Sequence, residues 1–357
     1  MACDMTKIAN FSKEKQELIA LCVDSYSGEL SNYVASNVKT DSASIDAQIR
    51  ERIHEEILQG ADFNHRTYRK YHDDIFEVIE VMLDQMLPEG WKDNEFFNRF
   101  VEERRLDLGD TNEFWCPNDA LLTVSKFSGN HWDTIRERCD IGSSFNVNTS
   151  WYVVHIYNEF ERFMKKLDSF PAMIDKVNRS FLQFFQNAIY TAFSGMNEFV
   201  PADFTGHGAL STDTEREALL TLAEKVQTAN GGKAPVLVGS HTALRKLNSA
   251  IPANWIADSA REERKAYGVP KMWEGYELLV LPQVFKKGTF DFELSNDKIL
   301  LVSNDSKPVK FVYEGESRMK EARENTENMD QSLEYQIQTK AGVAVVADRF
   351  IGEWTLA

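Results

Sequence analysis

The chain is short of the residues that most familiar chemistries require. Four cysteines stand among 357 residues, at Cys3, Cys22, Cys116 and Cys139. They are scattered and form no C-x-x-C pair, which argues against a disulfide framework or a zinc ribbon. Free thiols in a reducing, cytoplasmic setting are the expectation. Positive charge is scarce too: 40 Lys and Arg face 56 Asp and Glu, a net charge of -16. A protein that grips nucleic acid needs clustered cations against phosphate, so dedicated nucleic-acid binding is disfavoured. No apolar run approaches the roughly 18 residues of a membrane span, and the first residues, MACDMTKIANFSKEKQ, do not read as a signal peptide.

Catalytic signatures are equally thin. There is no G-x-G-x-x-G, no G-x-x-x-x-G-K-[ST] and no G-x-S-x-G elbow. His65 and His72 lie two helical turns apart, too far to share one metal ion, and with Asp73 and Asp74 they read as a solvated helix start. His207, in GHG, has no partner cysteine or histidine nearby. Carboxylate pairs have no diagnostic value in so acidic a chain. No catalytic, cofactor-binding or metal residue is assigned, and no cofactor is expected.

What is present is a large potential core. Apolar residues make up 43% and aromatics 11%, enough for two or three lobes. Residues 10–100 read as acidic helices, most strongly HDDIFEVIEVMLDQML, where Ile75, Phe76, Ile79, Met82, Leu83 and Met86 share a face and Pro88 ends the run. NEFFNRFVEER adds a short helix. From about residue 106 the pattern turns to β. LLTVSKF and HWDTIRER flank Ser128-Gly129-Asn130 as the legs of a long hairpin, with a polar tip and Trp132 beside it. SFNVNTSWYVVHIY, 144–157, alternates as a single strand.

Next comes FPAMIDKVNRSFLQFFQNAIYTAF. Ser169 is its cap, Pro171 sits in its first turn, and Gly195 lies beyond its end. Met173, Ile174, Val177, Phe181, Phe184, Ala188 and Ala192 line one stripe of a rod roughly 35 Å long. Residues 206–304 read as an α/β lobe. It contains a helix capped by Thr214 with Glu217, a strand PVLVGS, a helix PANWIADSAREERKAYG, and strands YELLVLP and DKILLVSN. Gly239-Ser240 makes a sharp strand-to-helix turn of the kind that can hold a phosphate. With one Gly and one Ser it reads as a bend and a cap. KPVKFVYE returns to β, GESRMKEARENTENMD is a polar excursion, and SLEYQIQT, AGVAVVA and EWTL finish the chain. Lys340-Ala341-Gly342 is expected to be a tight turn.

This order of parts resembles the major capsid proteins of tailed bacteriophages, the Hong Kong 97-like fold. The resemblance runs over residues 106–357, and its most specific stretch is KAGVAVVAD near the C-terminus. It implies an α+β fold with an N-terminal helical or arm region (1–105) and an extended hairpin, the E-loop (106–158). A peripheral domain with a long spine helix (159–205 and 305–357) and an axial α/β domain (206–304) complete it. Its E-loop contacts would be Lys126, Phe127, Asn130, His131 and Trp132, and its spine-helix core would be Phe181, Phe184 and Phe185. The implied role is structural. Hexamers and pentamers of the chain would form an icosahedral shell around double-stranded DNA, in a virion assembled in the host cytoplasm. Portal, scaffolding and cement proteins would be further partners, and no membrane is involved. Residues 1–105 could be a cleaved scaffolding segment or a retained arm. The rival readings are an encapsulin compartment on the same fold and, further away, a cytosolic α/β enzyme.

Overall fold

The computed structural model describes residues 11–27, 49, 51–62, 64–90, 94–117, 122–124, 126, 129, 137–139, 142–159, 170–247, 268–286, 288–321 and 332–356. Helix α1 (Lys13–Ser27) is followed by a π-turn at Ile53–Ile57 and by α2 (His65–Glu89). Asn64 caps α2, its side chain accepting from the N–H groups of Arg66 and Thr67 at 3.0 and 2.9 Å. The helix runs one residue past Pro88 and buries the expected stripe from Ile75 to Met86. Helix α3 (Glu95–Phe100) passes directly into strand β1 (Val101–Leu106). This corrects the reading of VEER as helix. Its charged residues alternate along an edge strand, where Glu102 meets Lys310 at 2.6 Å. Strand pairing with a distant partner overrides a locally helical composition.

Strands β2 (Glu113–Pro117) and β3 (Gly142–Asn146) form a two-stranded ribbon, and β4 (Ser150–Glu159) follows. The single strand expected over 144–157 is therefore broken at Val147–Thr149, and its halves enter different sheets. Helix α4 (Phe170–Ser194) matches its predicted span and runs on into a 3₁₀ turn at Gly195–Phe199.

Strand β5 (Thr205–His207) leads to α5 (Asp213–Ala229), then β6 (Pro235–Ser240) and α6 (His241–Leu247). The capping box on α5 is Thr212 with Glu215, two residues earlier than Thr214 with Glu217. The Glu215 carboxylate also accepts from the N–H of Ser211 at 2.9 Å, which fixes the chain entering the helix. Strands β7 (Met272–Trp273), β8 (Tyr276–Leu281) and β9 (Lys298–Ser303) complete this part. The helix expected over 252–268 falls mostly outside the described residues.

The last strands are β10 (Val309–Glu314), β11 (Arg318–Glu321), β12 (Ser332–Val345) and β13 (Gly352–Thr355). The expected tight turn at Lys340–Gly342 does not occur: β12 is one unbroken strand of 14 residues. Gly342 is needed there for close approach. A Cβ at this position would stand 2.5 Å from the Asn148 carbonyl oxygen, where the returning chain crosses.

Two sheets result. In the first, β10 pairs parallel with β1 and antiparallel with β12. Along the same strand β12 pairs antiparallel with β11 and, on its other edge, with β4. The second has the order β5-β13-β9-β6-β8-β7. Its members β5, β6, β7, β8 and β9 all come from the 206–304 region or its border, but β13 does not. The chain's last strand was expected to stay with β10 and β12, and it pairs instead with β9 and β5. Trp354 explains the crossing. It is buried to 2% exposure, and its indole N–H donates to the Gly208 carbonyl at 3.2 Å. Glu353 meets Lys298 at 2.7 Å.

Helix α4 ties the two sheets together. Ile174, Val177, Phe181, Phe185 and Ile189 share one core with Phe311, Ile337 and Tyr335 of the first sheet. The same core takes in Val236, Val238, Leu279 and Leu300 of the second. Helix α2 lies over the first sheet beside α4. Its Glu80 and Asp84 carboxylates accept from the N–H groups of Met319 and Ser317 at 2.5 and 3.1 Å.

Candidate functional site

With no catalytic constellation in the sequence, the candidate site is the extended arm and the ground it stands on. The ribbon β2–β3 is the arm's root, with Pro117 paired opposite Gly142. On the ribbon's inner side Phe114 is fully buried and stacks on Phe145 with ring centroids 5.7 Å apart. These rings share a small core with Val147 and Val312, so the root is planted on the first sheet. The Arg104 guanidinium lies 4.0 Å from the Phe114 ring centroid, donates to the Glu113 carbonyl at 2.8 Å and pairs with Glu102 at 2.7 Å. Lys310 reaches the same carboxylate at 2.6 Å. Burial works against charge on Glu102, yet the hydrogen bonds from Lys310 and Arg104 prevail and hold its carboxyl below the ordinary range.

A second clamp sits at Glu314, the last residue of β10. Its carboxylate accepts from Lys340 at 2.6 Å, from the Gly109 N–H at 3.2 Å and from the Thr149 hydroxyl. The Lys340 hydrogen bond, with that of Thr149, lowers its pKa. Gly109 lies on the way into the arm and Thr149 on the way out, so one carboxylate holds both ends. Asn112 adds a reciprocal pair with Val147, its side-chain oxygen accepting from the N–H at 3.2 Å.

Beyond the root, the described arm residues are exposed. Lys126 is among them, as are Leu122 and Val124, the last at 96%. The Thr123 N–H donates to Glu137 at 2.8 Å and so links the outgoing and returning legs. Phe127, Asn130, His131 and Trp132 lie outside the described residues.

The spine residues divide. Phe185 is 1% exposed and contacts Tyr152, Phe311 and Tyr313, with centroids 5.5, 5.5 and 5.7 Å away. Phe181 is buried beside it. Phe184 corrects the expectation: it is 46% exposed. It lies about 100° around the helix from Phe185, on the flank, with its ring centroid 5.0 Å from that of Tyr152 and 5.7 Å from that of Phe185. Sequence reading also missed Arg104, Glu102 and Glu314. VEERRL, whose charges run acidic, acidic, basic, basic, was read as the end of a short helix and gave no local signal of them.

Gly239-Ser240 proves to be a corner. The Ser240 hydroxyl oxygen accepts from the Ala243 N–H at 3.2 Å, and the hydroxyl donates to Asn296 at 2.8 Å. Its polar groups are satisfied within the chain.

Comparisons with known proteins bear on the fold as a whole. Among solved structures, the mature capsid of bacteriophage PhiM1 is similar with a TM-score of 0.50 and 11% identity, over 73% of this chain and 87% of that one. The cyanophage Pam1 capsid is similar with a TM-score of 0.48 and 12% identity, over 74% and 93%. The SrpI encapsulin complex of Synechococcus elongatus reaches a TM-score of 0.42 and 12% identity, over 74% and 88%, too loose a likeness to argue from. Among curated proteins no sequence matches the chain. The fold is the Hong Kong 97-like capsid fold. The family described as "SPbeta prophage-derived putative capsid protein YonB" matches residues 17–355. By that match the chain belongs to the YonB family of prophage-derived capsid proteins, and its role is that of a structural major capsid protein.

Proposed function

We propose that copies of this chain join through hexamers and pentamers into a closed icosahedral shell around a phage's double-stranded DNA. In this reading the arm of each copy lies over a neighbour, with Lys126, Phe127, Asn130, His131 and Trp132 at the contact. One observation carries it: the arm is clamped at its root by Arg104 and Glu314, while Val124 beyond the root is 96% exposed. Apolar side chains held in water beyond so firm a root are the kind of surface that a neighbour covers.

In this reading the chain divides into the four expected parts, with their boundaries shifted. Strands β1 and β4 go with the peripheral part and β13 with the axial part. The negative charge suits a wall that encloses DNA without gripping it. Portal, scaffolding and cement proteins are the expected partners, and assembly in the host cytoplasm before incorporation in the virion is the expected course.

Deleting residues 127–132 is the test. The expected product is a folded subunit, by circular dichroism and cooperative melting, that forms no particles tens of nanometres across in negative-stain images. If the deletion unfolds the chain, the arm belongs to the intramolecular core and the reading fails.

A further inference from the structure

Between β8 and β9 the chain makes a small hairpin that the capsid reading does not account for. Val284 and Leu294 plant its legs in the main core. Above them Phe285 bridges Phe292, and their rings stack 5.5 Å apart at 11°. Phe290 meets Phe285 edge-on at 6.0 Å. All three face water, at 53% exposure for Phe285, 90% for Phe290 and 50% for Phe292.

Hydrogen bonds tie the hairpin's legs together. The Lys286 N–H donates to the Asp291 carbonyl at 2.9 Å and the Glu293 N–H to the Val284 carbonyl at 2.8 Å. Gln283 donates to the Leu294 carbonyl at 3.1 Å and to Asn296 at 2.7 Å. Asn296 is also the acceptor of the Ser240 hydroxyl. The corner that could have held a phosphate therefore braces the aromatic hairpin.

We propose that this phenylalanine cluster is an assembly contact whose partner is a second copy of the chain, separate from the arm. The inference rests on the shell reading above. Two arguments select the partner. The first is size. Three phenylalanines of this exposure offer on the order of 300–400 Å², against roughly 800 Å² per partner in a stable two-body interface. The cluster cannot hold a free partner alone, and it suits a neighbour already held by other contacts. The second is charge. Across residues 283–296, Lys286 and Lys287 balance Asp291 and Glu293 in a chain of net charge -16. Locally neutral ground is where two copies repel each other least, and pre-ordered aromatics are the side chains that concentrate binding energy there.

The test compares the full chain with Phe290→Asp, with Phe290→Leu and with Met272→Ser, a control at another exposed apolar position. Phe290→Asp is expected to keep the wild-type melting temperature, because the ring touches little of its own core. Its particle yield, by light scattering and negative-stain microscopy, should fall about tenfold or more, as loss of an aromatic hot spot would produce. Phe290→Leu and the control should assemble. Wild-type particle yield from Phe290→Asp overturns the inference and leaves the shell reading standing. Particles of normal yield that lose a co-purifying second protein also overturn it, by assigning the cluster to that protein. A wild-type chain that stays monomeric under all assembly conditions overturns both.

Discussion

Phe185 and Phe184 are neighbours in sequence and chemically identical, yet they should respond very differently to truncation. Phe185 is 1% exposed and joins α4 to β4 through Tyr152 and to β10 through Phe311 and Tyr313. Phe185→Ala removes a whole ring from a close-packed site and leaves a cavity between helix and sheet. Such a change costs about 3–5 kcal/mol. Phe184 is 46% exposed and makes its main contacts with Tyr152 and Phe185, so Phe184→Ala should cost about 1–2 kcal/mol, set by the smaller area it returns to water. With unfolding entropy near 2 cal/mol/K per residue, a loss of about 4 kcal/mol lowers the melting temperature of a chain this long by about 5 °C. The assay is calorimetry and urea denaturation of the unassembled subunit, so that lattice contacts do not mask the difference. Equal destabilisation by the two substitutions, or a larger effect at Phe184, would refute the placement of α4 against the first sheet.

Two further outcomes are expected. Gly342→Ala should destabilise the subunit by about 1–3 kcal/mol in urea titration, since its Cβ meets the Asn148 backbone at 2.5 Å; an unchanged midpoint would show that the crossing is looser than described. Glu314 should make stability pH-dependent. Its folded-state pKa is lowered, chiefly by the Lys340 hydrogen bond, so its contribution is present above the ordinary carboxylate pKa. That contribution is lost as pH falls through the lowered value. Comparing wild type with Glu314→Gln by thermal melting from pH 7 downward should show a difference that shrinks in acid, and a difference independent of pH would count against the clamp.

Much of the frame was legible locally. The apolar runs of β6, β8, β9 and β10 are short buried runs that read directly as strands, whereas the stripe along α4 was legible only over Ile174, Val177 and Phe181; beyond them the buried face runs through Phe185, Ile189 and Phe193 in place of Phe184, Ala188 and Ala192. Ser240 was readable as a cap because a hydroxyl at a strand-to-helix turn satisfies an N–H whatever surrounds it. The two legs and the Ser128-Gly129-Asn130 turn expected for the arm lie mostly outside the described residues, and the root of the arm was not legible in the sequence. Glu102 meets Lys310, and Glu314 meets Gly109, each across some two hundred residues of chain, and no local period signals that.

The sequence by itself determined which segments bury a face and with what period, since side-chain spacing is a local property of the backbone. Tertiary structure decided the partners. VEERRL became a strand because β10 offered it a parallel edge and Lys310 a countercharge. β12 stayed straight through Gly342 because the missing side chain there admits the Asn148 backbone. The final strand left β12's sheet because Trp354 found burial and an acceptor in the other lobe. Phe184 stayed half in water because the sheet meets α4 along the line of Phe181 and Phe185. Each of these outcomes turns on a contact between residues far apart in the chain, and such contacts exist only after the chain has folded.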